Sequence, residues 1–336
     1  MKTKKPPSPL LPTECMEQIF NYLLQVEDSK LYPSLLVNRY WCKNVVPFLW
    51  NRPFSIVSNQ NCFKLLRTFF LCFNNEEFNL LNSLLNPYKI KIPSSNFNHQ
   101  TKLNYSIYLQ ELSFKDLEIC VSSTIHKWYG KNSYNNYYPD QMKILLNSLL
   151  KFFFKKSTNL YSLNLDTYFD FLDIPNFSNY FSQSQYDCVY LTETSMILLN
   201  NLHNLKNLYL YYCEGLSNTI LDGSFILQKL HIIYSLKLQN ITLSMLRVYG
   251  KSLRQLGLNI HDLEVAGDIA FNYCTNINEL VLIIYNPTHL TGYDTWKKEK
   301  WKERLDQLVL SQRINLSSLS IHDNNLDIYV NRLFYT

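Results

Sequence analysis

Apolar residues in the first fifty positions recur at the spacing of a helix. Met16, Ile19, Phe20, Leu23 and Leu24 fall at i, i+3, i+4, i+7 and i+8, one stripe of an amphipathic helix. Pro12 is placed in its first turn, where a missing N–H is no loss, and Glu14 and Glu17 lie near the positive end of the dipole. A second helix is read at the start of LYPSLLVNRYWCKNVVPFLW, with Tyr32, Leu35, Leu36, Arg39 and Tyr40 on one face. Pro47 is expected to kink or end a third segment, Trp41 to Trp50. Three short helices bury too little apolar area to be secure alone, so this unit is expected to lean on a partner.

Further along, the pattern becomes a repeated L-x-x-L-x-L frame. It stands at Leu160-Leu163-Leu165, Leu205-Leu208-Leu210, Leu253-Leu256-Leu258, Ile277-Leu280-Leu282 and Leu316-Leu319-Ile321. Weaker copies are Leu109-Leu112-Phe114, Tyr186-Val189-Leu191 and Leu227-Leu230-Ile232. From Tyr186 the steps are 19, 22, 26 and 24 residues, which is the period of a strand–loop–helix unit. The step from Ile277 to Leu316 is 39 residues, so an insertion lies there. Helical stretches fill the gaps: QMKILLNSLLKFFFKK carries Met142, Leu145, Leu146, Leu149, Leu150 and Phe153 at helical spacing. LSMLRVYGKSLRQLGLNI likewise runs from helix to strand. Between residues 55 and 105 no frame can be placed, although Phe63, Leu66, Phe70 and Phe73 show helix.

Composition narrows the classes. At 336 residues the chain can hold two ordinary domains, or one small domain and one elongated one. Only 7 Gly accompany 25 Tyr and 20 Phe, which argues against phosphate-cradling loops and a turn-dense sandwich; the turns are left to Asn. The net charge of +5 is spread along the chain, whereas a nucleic-acid binder concentrates it on one face. The 8 cysteines are scattered with no C-x-x-C, so reduced, mostly buried thiols are expected, as in the cytoplasm or nucleus. MKTKKPPSPL has prolines where a signal peptide has an apolar core, and residues 1–8 are read as disordered. No apolar run approaches the 18 or so residues of a membrane span.

The N-terminal motifs resemble an F-box. Leu11-Pro12-x-Glu14, Ile19-Phe20, Leu23, Leu35-Leu36-Val37-Asn38-Arg39-x-Trp41 and Phe48-Leu49-Trp50 stand in that family's order and spacing over residues 9–54. One departure is Asn38, where the family often has Cys. The resemblance implies docking onto the Skp-type adaptor of a cullin-RING ubiquitin ligase. Its adaptor-binding residues would be Leu11, Pro12, Glu14, Ile19, Phe20, Leu23, Leu35, Leu36, Val37, Trp41, Leu49 and Trp50. Ile19, Phe20 and Leu23 would be shared between the F-box core and the interface. The plainer alternative is a helical cap on the repeats.

Residues 55–336 resemble leucine-rich repeats of the cysteine-containing kind found behind F-boxes. LKNLYLYYC matches L-x-x-L-x-L-x-x-C, and YCTNINELVL carries a Cys just ahead of its strand. The expected fold class is therefore α/β, a three-helix F-box followed by a curved solenoid with parallel strands inside and helices outside. Residues alternating with the framework leucines would face the concave surface. They include Asn164, Tyr209, Tyr211, Asn259, Val281, Ile283, Ser320 and His322, the expected target-binding set. In the insertion, Trp301, Leu305 and Leu308 make an apolar helical edge beside five basic residues between Lys297 and Arg304.

Catalytic tools are missing from the sequence. No G-x-S-x-G, G-x-G-x-x-G, phosphate-binding loop or H-E-x-x-H occurs, and the 7 histidines are far apart. Neither metal nor other cofactor is expected. The combined expectation is a non-catalytic substrate-recognition subunit of an SCF-type (Skp-cullin-F-box) E3 ubiquitin ligase, bringing an unknown protein target to the complex. The alternative is a repeat scaffold that binds a protein without any ligase.

Overall fold

The computed structural model describes residues 11–26, 31–90, 92, 104–129, 139–166, 202–211, 225–233, 239–259, 272–284, 316–323 and 326–333. The N-terminal residues expected to be disordered, the weak frame at Tyr186, Cys188, Cys213 and the basic segment around Trp301 lie outside them.

The first unit has three helices: α1 (Thr13–Val26), α2 (Leu31–Ser34) and α3 (Arg39–Trp50). Pro12 stands just before α1, and its carbonyl accepts the Met16 N–H at 3.1 Å. It therefore caps the helix from outside the first turn. The second helix is far shorter than its periodicity suggests. After one turn the chain folds back, with Leu35 N–H donating to Tyr32 O at 3.1 Å and Leu36 N–H to Pro33 O at 3.0 Å. Tyr32, Leu35, Leu36, Arg39 and Tyr40 thus do not share a helical face. Asn38 is the cause. Its backbone is extended, and its side chain accepts the Trp41 N–H at 2.9 Å, which starts α3 afresh. Pro47 neither ends nor breaks α3, which continues to Trp50. It forgoes only the bond to the carbonyl of Lys43, an exposed residue that water can serve.

These helices enclose their own core of Met16, Phe20, Leu31, Val45 and Leu49. Phe20 is its centre, edge-on to Trp41 at 5.7 Å and Phe48 at 5.5 Å. A second, larger core begins at Phe54 and runs to Leu319.

Residues 53–88 supply helices α4 (Pro53–Ile56), α5 (Cys62–Phe70) and α6 (Asn75–Leu85), and the first strand comes only at Glu111. The remaining elements are β1 (Glu111–Ser113), α7 (Phe114–Tyr129), α8 (Pro139–Lys156), β2 (Ser162–Asp166), β3 (Asn207–Tyr211) and β4 (Lys229–Ile233). They continue with α9 (Gln239–Tyr249), β5 (Gln255–Asn259), β6 (Glu279–Ile284), β7 (Ser318–Asp323) and β8 (Leu326–Leu333). The fold is mixed α/β, with one sheet of order β1-β2-β3-β4-β5-β6-β7-β8.

Strands β1 to β7 are parallel and in register. Leu112, Leu163, Leu208, Leu230, Leu256, Leu280 and Leu319 are successive partners across the sheet. Leu165, Leu210, Ile232, Leu258, Leu282 and Ile321 form the next row. The first residues of the described frames, from Leu109 through Ile277 to Leu316, are buried as well. The described side chains of these rows share one core with Leu117 of α7, Leu145 of α8 and Met245 of α9, while the alternate positions lie on the opposite face. Strand β3 pairs directly with β2. One expectation needs correction. The last strand, β8, is antiparallel to β7, so the sheet is not parallel throughout.

A repeated hydrogen-bond pattern joins each rung to the next. The carbonyl of Gln110 accepts two N–H groups, from Tyr161 at 2.9 Å and Ser162 at 3.1 Å. Tyr161, Lys206, Gln228, Arg254 and Asn278 repeat this toward the following strand. The series starts before the sheet. Asn51, directly after α3, accepts Gln110 N–H and Glu111 N–H, both at 2.9 Å. Trp50 fixes the same joint by stacking on Tyr105 at 4.2 Å and meeting Phe69 edge-on at 5.2 Å. Asn side chains staple the turns: Asn159 donates to Ile107 O and Asn204 to Thr158 O at 2.8 Å, and Asn276 to Lys251 O at 2.7 Å. Each satisfies a turn carbonyl that would otherwise need water.

Candidate interaction surfaces

The three-helix unit leaves several large apolar side chains outside its core. On α1, Met16 and Phe20 point inward, while Ile19 is 36% exposed and Tyr22 also lies in solvent. Leu11 is 45% exposed, and its carbonyl accepts the Tyr40 hydroxyl at 2.6 Å. That bond ties the segment ahead of α1 to α3. In the turn between α2 and α3, Leu36 is 88% exposed and Val37 is also outside, as is Tyr32 of α2. Large apolar side chains in water are informative when they gather on one small unit.

The twelve residues expected to meet an adaptor therefore separate by burial. Leu11, Pro12, Glu14, Ile19, Leu36 and Val37 are exposed, and Leu23, Leu35 and Trp41 are half-buried against the small core. Phe20 and Leu49 are buried within it and present no surface to a partner. Trp50 is committed to the joint with Tyr105 and Phe69. Sequence periodicity cannot separate these roles, because apolar residues recur on both sides of α1.

The sheet face opposite the leucine rows is the other surface. Asn164, Tyr209, His231, Gly257, Val281 and Ser320 are successive neighbours across β2 to β7. Tyr211 lies beside Ile233 in the next row, which also holds Asn259, Ile283 and His322. All eight residues expected on this face occupy its positions. Val281, however, is buried and offers a partner little surface. The side chain of His322 lies outside the described residues.

The centre of the face was missed in the sequence. The His231 ring tilts against Tyr209 at a centroid distance of 4.8 Å and lies over Gly257. A Cβ at Gly257 would stand 2.6 Å from the ring, so only glycine leaves room for it. The weak frame at Leu230 and Ile232 already places His231 between two inward positions, and that was the available signal. Toward β1, the Tyr161 hydroxyl donates to Glu111 Oε1 at 2.6 Å. Burial and then this hydrogen bond push the tyrosine pKa up to about 12. Toward β6, Gln255 Nε2 donates to Glu279 Oε1 at 3.1 Å.

Among the described residues no group of three His, Cys, Asp or Glu could hold a metal ion, and no helix is long and apolar enough to cross a membrane. Cys62, Cys120 and Cys274 are buried free thiols, whereas Cys15 is exposed. Burial pushes the Cys274 thiol up to about 12 and raises Cys62 and Cys120 as well. A raised thiol pKa stabilises the fold below the ordinary value of 9.0, and that contribution is lost as pH rises toward about 12. Alkylation of the native protein at about pH 8 should therefore label Cys15 and spare Cys62, Cys120 and Cys274 until denaturant is added. Peptide mass spectrometry checks this; equal labelling of Cys274 and Cys15 in the folded chain would contradict it.

Among family models, curated proteins and solved structures, none matches the chain.

Proposed function

We propose that the chain is the substrate-recognition subunit of an SCF-type E3 ubiquitin ligase and is not itself an enzyme. The reading joins the F-box-like and leucine-rich-repeat-like motifs of the sequence to one structural observation. Leu11, Ile19, Tyr22, Tyr32, Leu36 and Val37 remain in solvent on a helical unit whose other apolar residues pack closely. A Skp-type adaptor is the partner that would cover them. Phe20, Trp41 and Leu49 then hold the contact residues from behind, and Trp50 joins the unit to the sheet.

The in-register leucine rows support the repeat half of the reading, and the open face bearing Tyr209 and Tyr211 is the target surface. Rigid amphipathic tyrosines suit that role. Ubiquitin transfer would follow from proximity within the ligase and not from a side chain here. A cytoplasmic or nuclear location goes with this function.

The test is affinity capture of the tagged full chain from a cell that contains the ligase components. Recovery of a Skp-type adaptor together with a cullin is the expected result. Absence of both, with the chain folded, rejects the proposal.

A further inference from the structure

The chemistry of the open face indicates what kind of target it holds; the inference rests on that face being the target surface. Glu111, Ser162, Asn207, Lys229, Gln255 and Glu279 are successive partners in one row across β1 to β6. Both carboxylates are half-buried. Each is bonded to a neutral donor, Glu111 to the Tyr161 hydroxyl and Glu279 to the Gln255 amide. A half-buried carboxylate served by one neutral donor retains acceptor capacity that water reaches poorly.

More acceptors lie beside them. Gln255 Oε1 and Asn164 Oδ1 are buried with no donor. Tyr209 stands in the neighbouring row between the two acids, its ring braced by His231 over Gly257. Burial first, and then both Glu111 and Glu279, raise its pKa, so the two carboxylates converge electrostatically on this hydroxyl. Arg52 acts on Tyr161 at the β1 side, and Lys229 lies mid-row. The β5–β6 side, with Gln255 and Glu279, is left rich in acceptors, while Tyr209 lies on β3 toward the middle of the face.

We propose that this part of the face takes an arginine side chain of the target, its guanidinium on Glu279 and beside Gln255. Arginine fits better than lysine because its planar fork offers several N–H groups to adjacent acceptors. A phosphorylated segment is disfavoured here, since its charge would meet Glu279 and acceptors that cannot donate.

Fluorescence polarisation on the full chain tests this with three labelled peptides of equal length, bearing arginine, lysine or phosphoserine at the same positions. The arginine peptide should bind most tightly and the phosphoserine peptide most weakly, and the arginine affinity should fall with salt. Glu279→Gln should weaken the arginine peptide by about ten- to hundredfold, the loss of one charge-assisted hydrogen bond. Lys229→Glu, which removes the opposing cation, should strengthen it. Equal or tighter phosphoserine binding, no arginine binding, or an arginine affinity indifferent to both substitutions would overturn the inference. Adaptor capture is measured on the same variants. Capture that persists while arginine peptides fail to bind rejects this inference alone. Failure of capture with arginine binding intact rejects the ligase reading alone.

Discussion

Leu36→Asp and Ile19→Asp, each made alone in the full chain, should lower adaptor affinity by at least about ten- to hundredfold while leaving the protein folded. Leu36 is 88% exposed, so the free protein loses almost no buried area when it changes. Surface substitutions of this kind move stability by about 0.5 kcal/mol or less. In the complex the same position would be covered, and burying a leucine contributes about 1.5–3 kcal/mol. Aspartate forfeits that and adds an unpaired charge at the contact. Phe20→Ala provides the contrast. With no exposed surface and aromatic contacts to Trp41 and Phe48, it should cost about 3–5 kcal/mol of stability and lose binding through unfolding. Titration of purified adaptor against each variant, with urea unfolding alongside, separates the two. Wild-type affinity in a folded Leu36→Asp protein would exclude that turn from the interface.

What could be read in the sequence follows from which forces act locally. Leucine rows were legible because parallel strands in register require the same residues at the same offsets in each rung. The α8 stripe was legible for a similar reason, since Met142, Leu145, Leu149 and Phe153 face one core. Boundaries set by a single polar side chain were harder. Asn38 interrupts what periodicity reads as a continuous helical face. Asn74 and Glu77 form a reciprocal cap at the start of α6, with bonds of 2.8 and 2.9 Å, and Glu77 also meets Lys155 at 3.3 Å. The N-x-x-E spacing carried that information and went unread. So did the Asn immediately ahead of Leu160, Leu205 and Ile277, which recurs because in these three units its side-chain amide donates to a carbonyl of the preceding turn.

Long-range features left no local trace. Strand β8 lacks the leucine frame, since an antiparallel partner has no need of the same offset. On the open face, alternation gave the positions but not their depth. Val281 and His231 are both buried there, while Asn164 and Tyr209 in the same row are only half-covered. The acceptor-rich side of that face depends on strands far apart in sequence, so Glu279 and Gln255 carried no recognisable motif.

The joint at Trp50 carries the second large expectation. A chain beginning at residue 55 matches the boundary suggested by the sequence motifs, yet it should be less stable than the full chain by more than about 4 kcal/mol. Such a truncation removes Phe54, which is buried against Phe69 at 5.4 Å and Phe153 at 5.6 Å; deleting a core phenylalanine costs about 3–5 kcal/mol. It also removes the Asn51 carbonyl that accepts from Gln110 and Glu111, leaving the first rung without its upstream partner. Trp50 no longer covers Tyr105 and Phe69. Against a typical total of about 5–15 kcal/mol, this is a large fraction. A chain beginning at residue 45 keeps Trp50, Asn51 and Phe54 and should recover most of the loss. Urea midpoints compared at equal slope measure the difference. Equal midpoints for the two truncations would mean that the helical unit and the sheet are independent neighbours. A lower midpoint for the chain starting at 55 would place the physical boundary before Trp50, because residues 50–54 belong energetically to the sheet they precede.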